Sequence, residues 1–143
     1  MRTLMKSADV RKHWSESINS VIRQRPMFIQ RNRDKLAFMS IDQLQLLLKP
    51  FKLTMRILKE DDGSYTGMID ELDLLENAKT VSELKVKLIK ELFCYCEEYM
   101  GEFQKHYHSI NRRNHFPYVY NVLANENRVM DIIKLYETGD IGA

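Results

Sequence analysis

The chain has 143 residues, with 22 Lys and Arg against 20 Asp and Glu for a formal net charge of +2 at pH 7, a length that fits one ordinary domain or two small ones. Its hydrophobic content of 44% with 29% charged residues excludes a disordered chain. Its longest apolar runs, such as Leu46-Leu47-Leu48, are far below the ~20 residues of a membrane span.

Thr3-Leu4-Met5 predicts a short strand, and Ser7 predicts the N-cap of a helix through about Arg23. Val10, Trp14, Ile18, Val21 and Ile22 recur in that helix at spacings of three and four, which predicts a buried stripe. Arg25-Pro26 ends it, because proline lacks an amide donor and disfavours helix in the residue before it. Met27–Gln30 and Leu36–Met39 read as strands around the polar connection Arg31-Asn32-Arg33-Asp34-Lys35. Ser40 then caps a short helix with apolar Ile41, Leu44, Leu47 and Leu48, ending at Pro50. Residues 1–50 thus form a β-α-β-β-α unit.

Phe51–Leu58 alternates as a strand, and Asp61-Asp62-Gly63-Ser64 predicts the hairpin turn into a second strand at Tyr65–Ile69. Leu72-Asp73-Leu74-Leu75 reads as a loop. Thr80-Val81-Ser82-Glu83 has the form of a capping box, and Leu84, Leu88, Leu92, Cys96, Tyr99, Phe103 and Tyr107 trace one long helical seam behind it. Gly101 inside that seam predicts a close packing contact or a kink. Pro117–Leu123 is ambiguous, and its β-branched and aromatic residues favour a strand. Asn125 caps a terminal helix with Val129, Ile132, Ile133 and Tyr136 facing the core, before a frayed tail at Thr138–Gly142. The fold class is α+β, with a second unit over residues 51–143 built of a hairpin, a long helix, a strand and a terminal helix.

The charge is divided along the chain. Residues 1–50 carry ten Lys and Arg against four Asp and Glu, a net +6, and residues 51–143 carry twelve against sixteen, a net −4. Such a division suits a polyanion at one end and a basic partner at the other. Cys94 and Cys96 lie on different faces of the long helix, so neither a disulfide nor a zinc site is expected. Phosphate-loop and dinucleotide fingerprints are missing, so no cofactor is expected. With no apolar segment and cleavage site behind Met1, the expected location is the cytoplasm, off the membrane.

The order of elements over residues 1–50 resembles the prevent-host-death (Phd/YefM) antitoxin family. The resemblance lies in the strand after Met1-Arg2-Thr3, the helix opening Ser7-Ala8-Asp9-Val10-Arg11 with Trp14, the Pro-x-x-Ile-x-Arg strand at Pro26–Arg31, the polar turn and the Ser40–Leu44 helix start. It covers the N-terminal third. An extra residue before Arg11, and a turn at Asn32-Arg33-Asp34-Lys35 without the usual glycine, depart from the pattern. The resemblance implies a homodimer that binds operator DNA through its N-terminal unit, represses its operon and neutralises a cognate toxin through its C-terminal part. Family members usually have a short C-terminal segment, whereas residues 51–143 read as folded.

Arg11 and Arg31 match basic positions of that family. With Lys6, Lys12 and Arg33 they are the candidate DNA-binding residues, since guanidinium forks meet phosphate and guanine edges bidentately. A merely solvated basic face remains the alternative. Asp70, Leu72, Asp73, Leu74 and Leu75 are candidate toxin-binding residues, within a stretch free of Lys and Arg from Glu60 to Ala78 that would steer a basic partner. An ordinary solvated turn, with the leucines in the core, is the other reading. No catalytic residue is assigned. An adaptor that binds no DNA is the second function, and a ribonuclease using His106, His108 and His115 the third, without a carboxylate or nucleophile at any recognised spacing.

Overall fold

In the computed structural model, residues 4–137 are described, and the chain divides into two compact units, Met1–Leu47 and Leu48–Ala143. Both are α+β, and each has its own sheet. The expected strand start at Thr3 and the frayed tail at Thr138–Gly142 lie outside the described residues.

In the first unit, β1 (Leu4–Lys6) pairs in parallel with β2 (Met27–Arg31), which pairs antiparallel with β3 (Asp34–Phe38). A parallel neighbour requires a crossover, supplied here by α1 (Ser7–Lys12) and α2 (Trp14–Arg23). Where the sequence predicts one helix there are two, broken at His13, whose φ of −118° and ψ of 48° are not helical. The break turns Trp14 flat onto Phe38, with ring centroids 5.6 Å apart at 14°. Ser17 donates its hydroxyl to the His13 carbonyl at 2.8 Å, a back-bond that favours bending. Ser7 opens α1 and Lys6 stands at the N-cap, without a side-chain capping bond.

Asn32 and Arg33 alone link β2 to β3, a tighter turn than the five-residue connection expected. Asn32 takes a φ of 57°, a left-handed conformation that asparagine tolerates. Register places Met5, Ile29 and Leu36 in one row, and Leu4, Phe28 and Ala37 in a row on the opposite face. α3 (Ile41–Leu48) opens with the predicted cap. Ser40 Oγ accepts from the Gln43 amide at 3.2 Å, and Gln43 Oε1 accepts from the Ser40 amide at 2.9 Å.

The second unit is a four-stranded sheet in the order β6-β5-β4-β7, formed by β4 (Leu53–Lys59), β5 (Tyr65–Ile69), β6 (Leu74–Ala78) and β7 (Ile133–Tyr136). The β4–β5 turn closes as predicted at Gly63, whose φ is 88°, and Asp62 Oδ1 accepts from the Ser64 amide at 2.9 Å. Leu53, Met55, Ile57 and Ile69 point to one face of the sheet and are buried under α4 (Val81–Gly101) with Leu84, Leu88, Leu92, Cys96 and Tyr99. The Thr80 hydroxyl accepts from the Glu83 amide at 3.2 Å, one half of the predicted capping box. Cys96 is buried, which pushes its thiol up to about 12, and Cys94 is exposed; both are free.

Four expectations give way here. The long seam breaks at Glu102, with α5 (Phe103–Tyr107) beyond it. Nothing lies within 4 Å of a Cβ built at Gly101, so that glycine serves the break and not a close contact. The strand expected at Pro117–Leu123 is α6 (Phe116–Ala124), where Pro117 occupies the first turn and Val119 and Val122, three apart, are fully buried. Strand propensity yields because helical spacing completes the core and Asn121, buried, donates to the Phe51 carbonyl at 2.8 Å. The terminal helix is a 3-10 segment, Glu126–Ile132, leading into β7, which lies parallel to β4. The Leu72–Leu75 loop is a 3-10 turn, Asp70–Leu72, running into β6.

β5 approaches α4 closely because residue 67 is glycine. A Cβ there would stand 2.4 Å from Leu88 Cδ1 and 3.1 Å from Leu84 Cγ, both leucines fully buried. Gly67→Ala therefore overpacks the core, with an expected loss of about 1–3 kcal/mol in urea unfolding; unchanged stability would show that the helix can move away from the sheet.

Candidate functional site

Two surface clefts, one in each unit, each hold part of the charged candidates. The first, about 640 Å³, has Val10, Trp14, Ile29 and Leu36 as its apolar lining and Ser7, Arg11, Arg31 and Asp34 as its polar lining. α1 supplies Val10 and Arg11, and the β2–β3 register brings Ile29 opposite Leu36 and Arg31 opposite Asp34. Trp14, expected in the buried stripe, and Leu36 are each 54% exposed. Of the predicted stripe only Val10 and Val21 are buried, and Ile22 also faces out.

Lys6, Arg11, Lys12, Arg31 and Arg33 are all exposed, and none has a carboxylate ion-pair partner among the described residues. The structure brings Arg11 and Arg31 to one cleft. It does not bring the others there: Lys6 pairs across the ladder with Gln30, on the sheet face opposite Ile29, and Arg33 sits in the hairpin turn.

The second cleft, about 480 Å³, lies between the turn into β6 and the α5–α6 connection, against α4. Asp73 stands at its edge with a φ of 55°. From α4 come Glu91, Tyr95 and Glu98, at spacings of four and three that share one helix face. From the connection come Asn111, Arg112 and His115. Tyr95 Oη and His115 Nδ1 are 2.6 Å apart, and the Arg112 guanidinium lies over the Tyr95 ring, 5.6 Å from its centroid. Tyr99 donates its hydroxyl to the Arg112 carbonyl at 2.8 Å, which fixes that end of the connection. Burial pushes the Tyr95 phenol up to about 12.

The candidate toxin-binding residues separate. Leu72 is 2% exposed, and is core because the 3-10 turn folds it under the sheet; this corrects its place among surface contacts. Leu74 is half-buried against the same core, and Asp70 is engaged by Arg56, with Nε 2.6 Å from Oδ2. Asp73 and Leu75 are exposed. Among the three histidines, His106 and His115 are buried and His108 is exposed. His106 stacks on Tyr99, 5.0 Å between centroids, and its Nε2 has no partner. Sequence reasoning missed Glu91, Tyr95 and Glu98 as a group, although their spacing along a confidently helical segment was the available signal. Among the described residues no group of three or more His, Cys, Asp or Glu could hold a metal ion, and no helix is long and apolar enough to cross a membrane.

Fold and clefts together define a two-unit α+β protein whose charged surface groups are gathered on separate units. The chain belongs to an antitoxin family: residues 1–136 match the PHD-like family described as antitoxin of toxin-antitoxin, RelE / RelB, TA system. It is also similar, at 32% identity and a TM-score of 0.84, to a crystal structure from Syntrophomonas wolfei subsp. wolfei described as an antitoxin part of a toxin/antitoxin system, over 94% of this chain and 99% of that one. No match was found among curated proteins. Family membership runs through both units, well beyond the N-terminal third that carries the sequence resemblance.

Burial holds the His115 imidazole below its ordinary value, the Asp73 carboxylate opposes the shift, and Arg112 and His106 reinforce it. The folded protein thus favours neutral His115. As pH falls below the ordinary value of 6.5, the unfolded chain takes up the proton first, so the contribution of this group to stability is complete above that pH and declines below it. Thermal melts between about pH 7 and about pH 5 should show a falling midpoint that flattens in His115→Asn; parallel profiles would exclude this histidine as the source.

Proposed function

We propose that the protein is a Phd/YefM-type antitoxin that dimerises through its first unit, binds operator DNA there to repress its operon, and neutralises a cognate toxin through its second unit in the cytoplasm. The observation that carries the DNA part of this reading is the meeting of Arg11 and Arg31, unpaired, at one cleft of the basic unit. Free guanidinium groups next to backbone held by a sheet and a helix can meet phosphates without breaking internal ion pairs. The acidic second unit, with Asp73 and Leu75 exposed, suits a basic toxin.

The dimer rests on an imbalance in the first unit. Among the described residues up to Leu47, Val10 and Val21 are the buried apolar side chains, whereas Met5, Trp14, Ile22, Phe28, Leu36, Ile41, Leu46 and Leu47 are exposed. A unit under 50 residues with so small an interior gains its stability from a partner surface, and a second copy supplies the matching one. Sedimentation should give a dimer at micromolar concentration. Trp14, the sole tryptophan, should shift its emission to the blue as the dimer forms, and a monomer with invariant emission would overturn this arrangement.

Gel shifts on the chain's own promoter should give an affinity falling steeply between about 50 and about 200 mM salt, as several phosphate contacts require. Arg11→Ala combined with Arg31→Ala should abolish that binding and leave toxin neutralisation intact in co-expression. Both side chains are exposed, so the cost in stability should stay under ~1 kcal/mol. A folded, dimeric double variant that binds the promoter normally would transfer the assignment to an adaptor without DNA binding.

A further inference from the structure

We propose that a third cleft, bordered by Lys105, His106, Ser109 and Arg112, binds the phosphate group of a small molecule, a ligand distinct from both toxin and operator. The cleft, about 330 Å³, lies at the α5–α6 connection, and Glu98 of α4 completes its lining. Backbone bonds gather its residues. The Ser109 amide donates to the His106 carbonyl at 3.1 Å, and the Arg112 amide donates to the Ser109 carbonyl at 3.2 Å. Two successive turns of this kind set residues 106, 109 and 112 on one side, since side chains three apart eclipse where each turn closes over three residues. Tyr99 fixes both ends of the run: its ring lies flat on His106, 5.0 Å between centroids, and its hydroxyl donates to the Arg112 carbonyl at 2.8 Å.

His106 is the group that lacks a partner. The residue is 3% exposed, and its Nε2 is the one buried side-chain nitrogen or oxygen without a hydrogen bond among the described residues. A buried polar atom left unpaired is costly, and a ligand that hydrogen-bonds to it removes the cost. Stacking uses the face of the ring, so the edge that carries Nε2 is the part left for such a bond. The neighbouring groups are donors. The Arg112 guanidinium lies over the Tyr95 ring and has no carboxylate partner among the described residues. Lys105 meets Glu102 at 3.1 Å in an exposed pair, which contributes little and yields readily to a ligand. Two cations thus stand against one lining carboxylate, Glu98, which also borders the neighbouring cleft. A guanidinium, an ammonium, a hydroxyl and an imidazole N–H together suit a phosphate, whose several acceptor oxygens can serve them at once.

The test is a titration of the full-length chain with inorganic phosphate at fixed pH and ionic strength, followed through the imidazole resonances of its four histidines. The His106 resonance should shift and saturate. Arg112→Gln should weaken the site about tenfold or more and Glu98→Gln should tighten it, because one removes a cation and the other a carboxylate, both from exposed positions. Arg11→Ala with Arg31→Ala, in the other unit, should leave the His106 response as it is, which separates this site from phosphate contacts at the first cleft. A nucleoside monophosphate should compete with inorganic phosphate, whereas a short DNA duplex at equal phosphate concentration should not move His106. The inference is overturned by a folded wild type whose His106 resonance ignores phosphate, by an equal response to chloride, or by affinities that neither charge variant alters. A His106 resonance moved by the duplex and not by inorganic phosphate overturns it as well, since the phosphate would then come from nucleic acid.

Discussion

Leu84 and Leu88 lie so close over Gly67 that a single methyl group on β5 would have to displace them. This contact fixes the distance between the long helix and its sheet, and the second unit is organised around it. Each leucine is fully buried, so each contributes on the order of 2 kcal/mol from removal of apolar surface from water. With α4 held at the centre, Leu53, Met55, Ile57 and Ile69 close the core from the sheet, and Val119 and Val122 close it from α6. The same constraint decides what α4 presents outward. Residues 84, 88, 92, 96 and 99 are turned inward, which leaves Glu91 and Glu98 exposed and holds Tyr95 at the boundary, where its hydroxyl reaches His115.

The first unit follows the opposite logic. Its three short strands and the helices packed on them bury very little, and its largest aromatic side chain stacks on Phe38 while remaining half exposed. Charge adds to this incompleteness. Its lysines and arginines repel one another, and none of them has a carboxylate ion-pair partner among the described residues. Its one cleft joins exposed apolar side chains to two arginines, so apolar and cationic surface lie side by side there.

How much was legible in the sequence depended on whether local rules or tertiary packing held the decision. The caps at Ser40 and Thr80, the Gly63 turn and the α4 seam from Leu84 to Tyr99 are set by neighbours within four residues, and they read correctly. Pro117–Leu123 did not, because its valines and tyrosines favour a strand locally while the core under α4 accepts them at helical spacing. β7 was hidden for a related reason. Its four residues, Ile133–Tyr136, become a strand by pairing with β4, about 80 positions earlier in the sequence, which no window of periodicity can contain. The arginines of the first cleft were identified by residue type and resemblance, but the cleft itself depends on the break at His13. The second cleft was half visible, since Asp73 drew notice within an acidic run while Glu91, Glu98 and His115 meet it only once the connection after α5 folds back onto α4.

That fold-back bears on why the histidines sit where they do. Three histidines and two arginines between Lys105 and Phe116 suggest catalytic chemistry when read in a line. In space His106 lies flat on Tyr99 with its Nε2 enclosed, His115 is tied to Tyr95, and the Tyr99 hydroxyl holds the Arg112 backbone between them. The two tyrosines, four apart on α4, thus act as posts for the connection. A histidine suits this position because it offers an aromatic face for stacking and a ring nitrogen for a tyrosine hydroxyl, which phenylalanine cannot do. His115, oriented by its bond to Tyr95 and held below its ordinary value by burial, keeps the connection in place. The basic connection and the acidic helix face are consequently two sides of a single polar cleft, joined through Tyr95 and Tyr99.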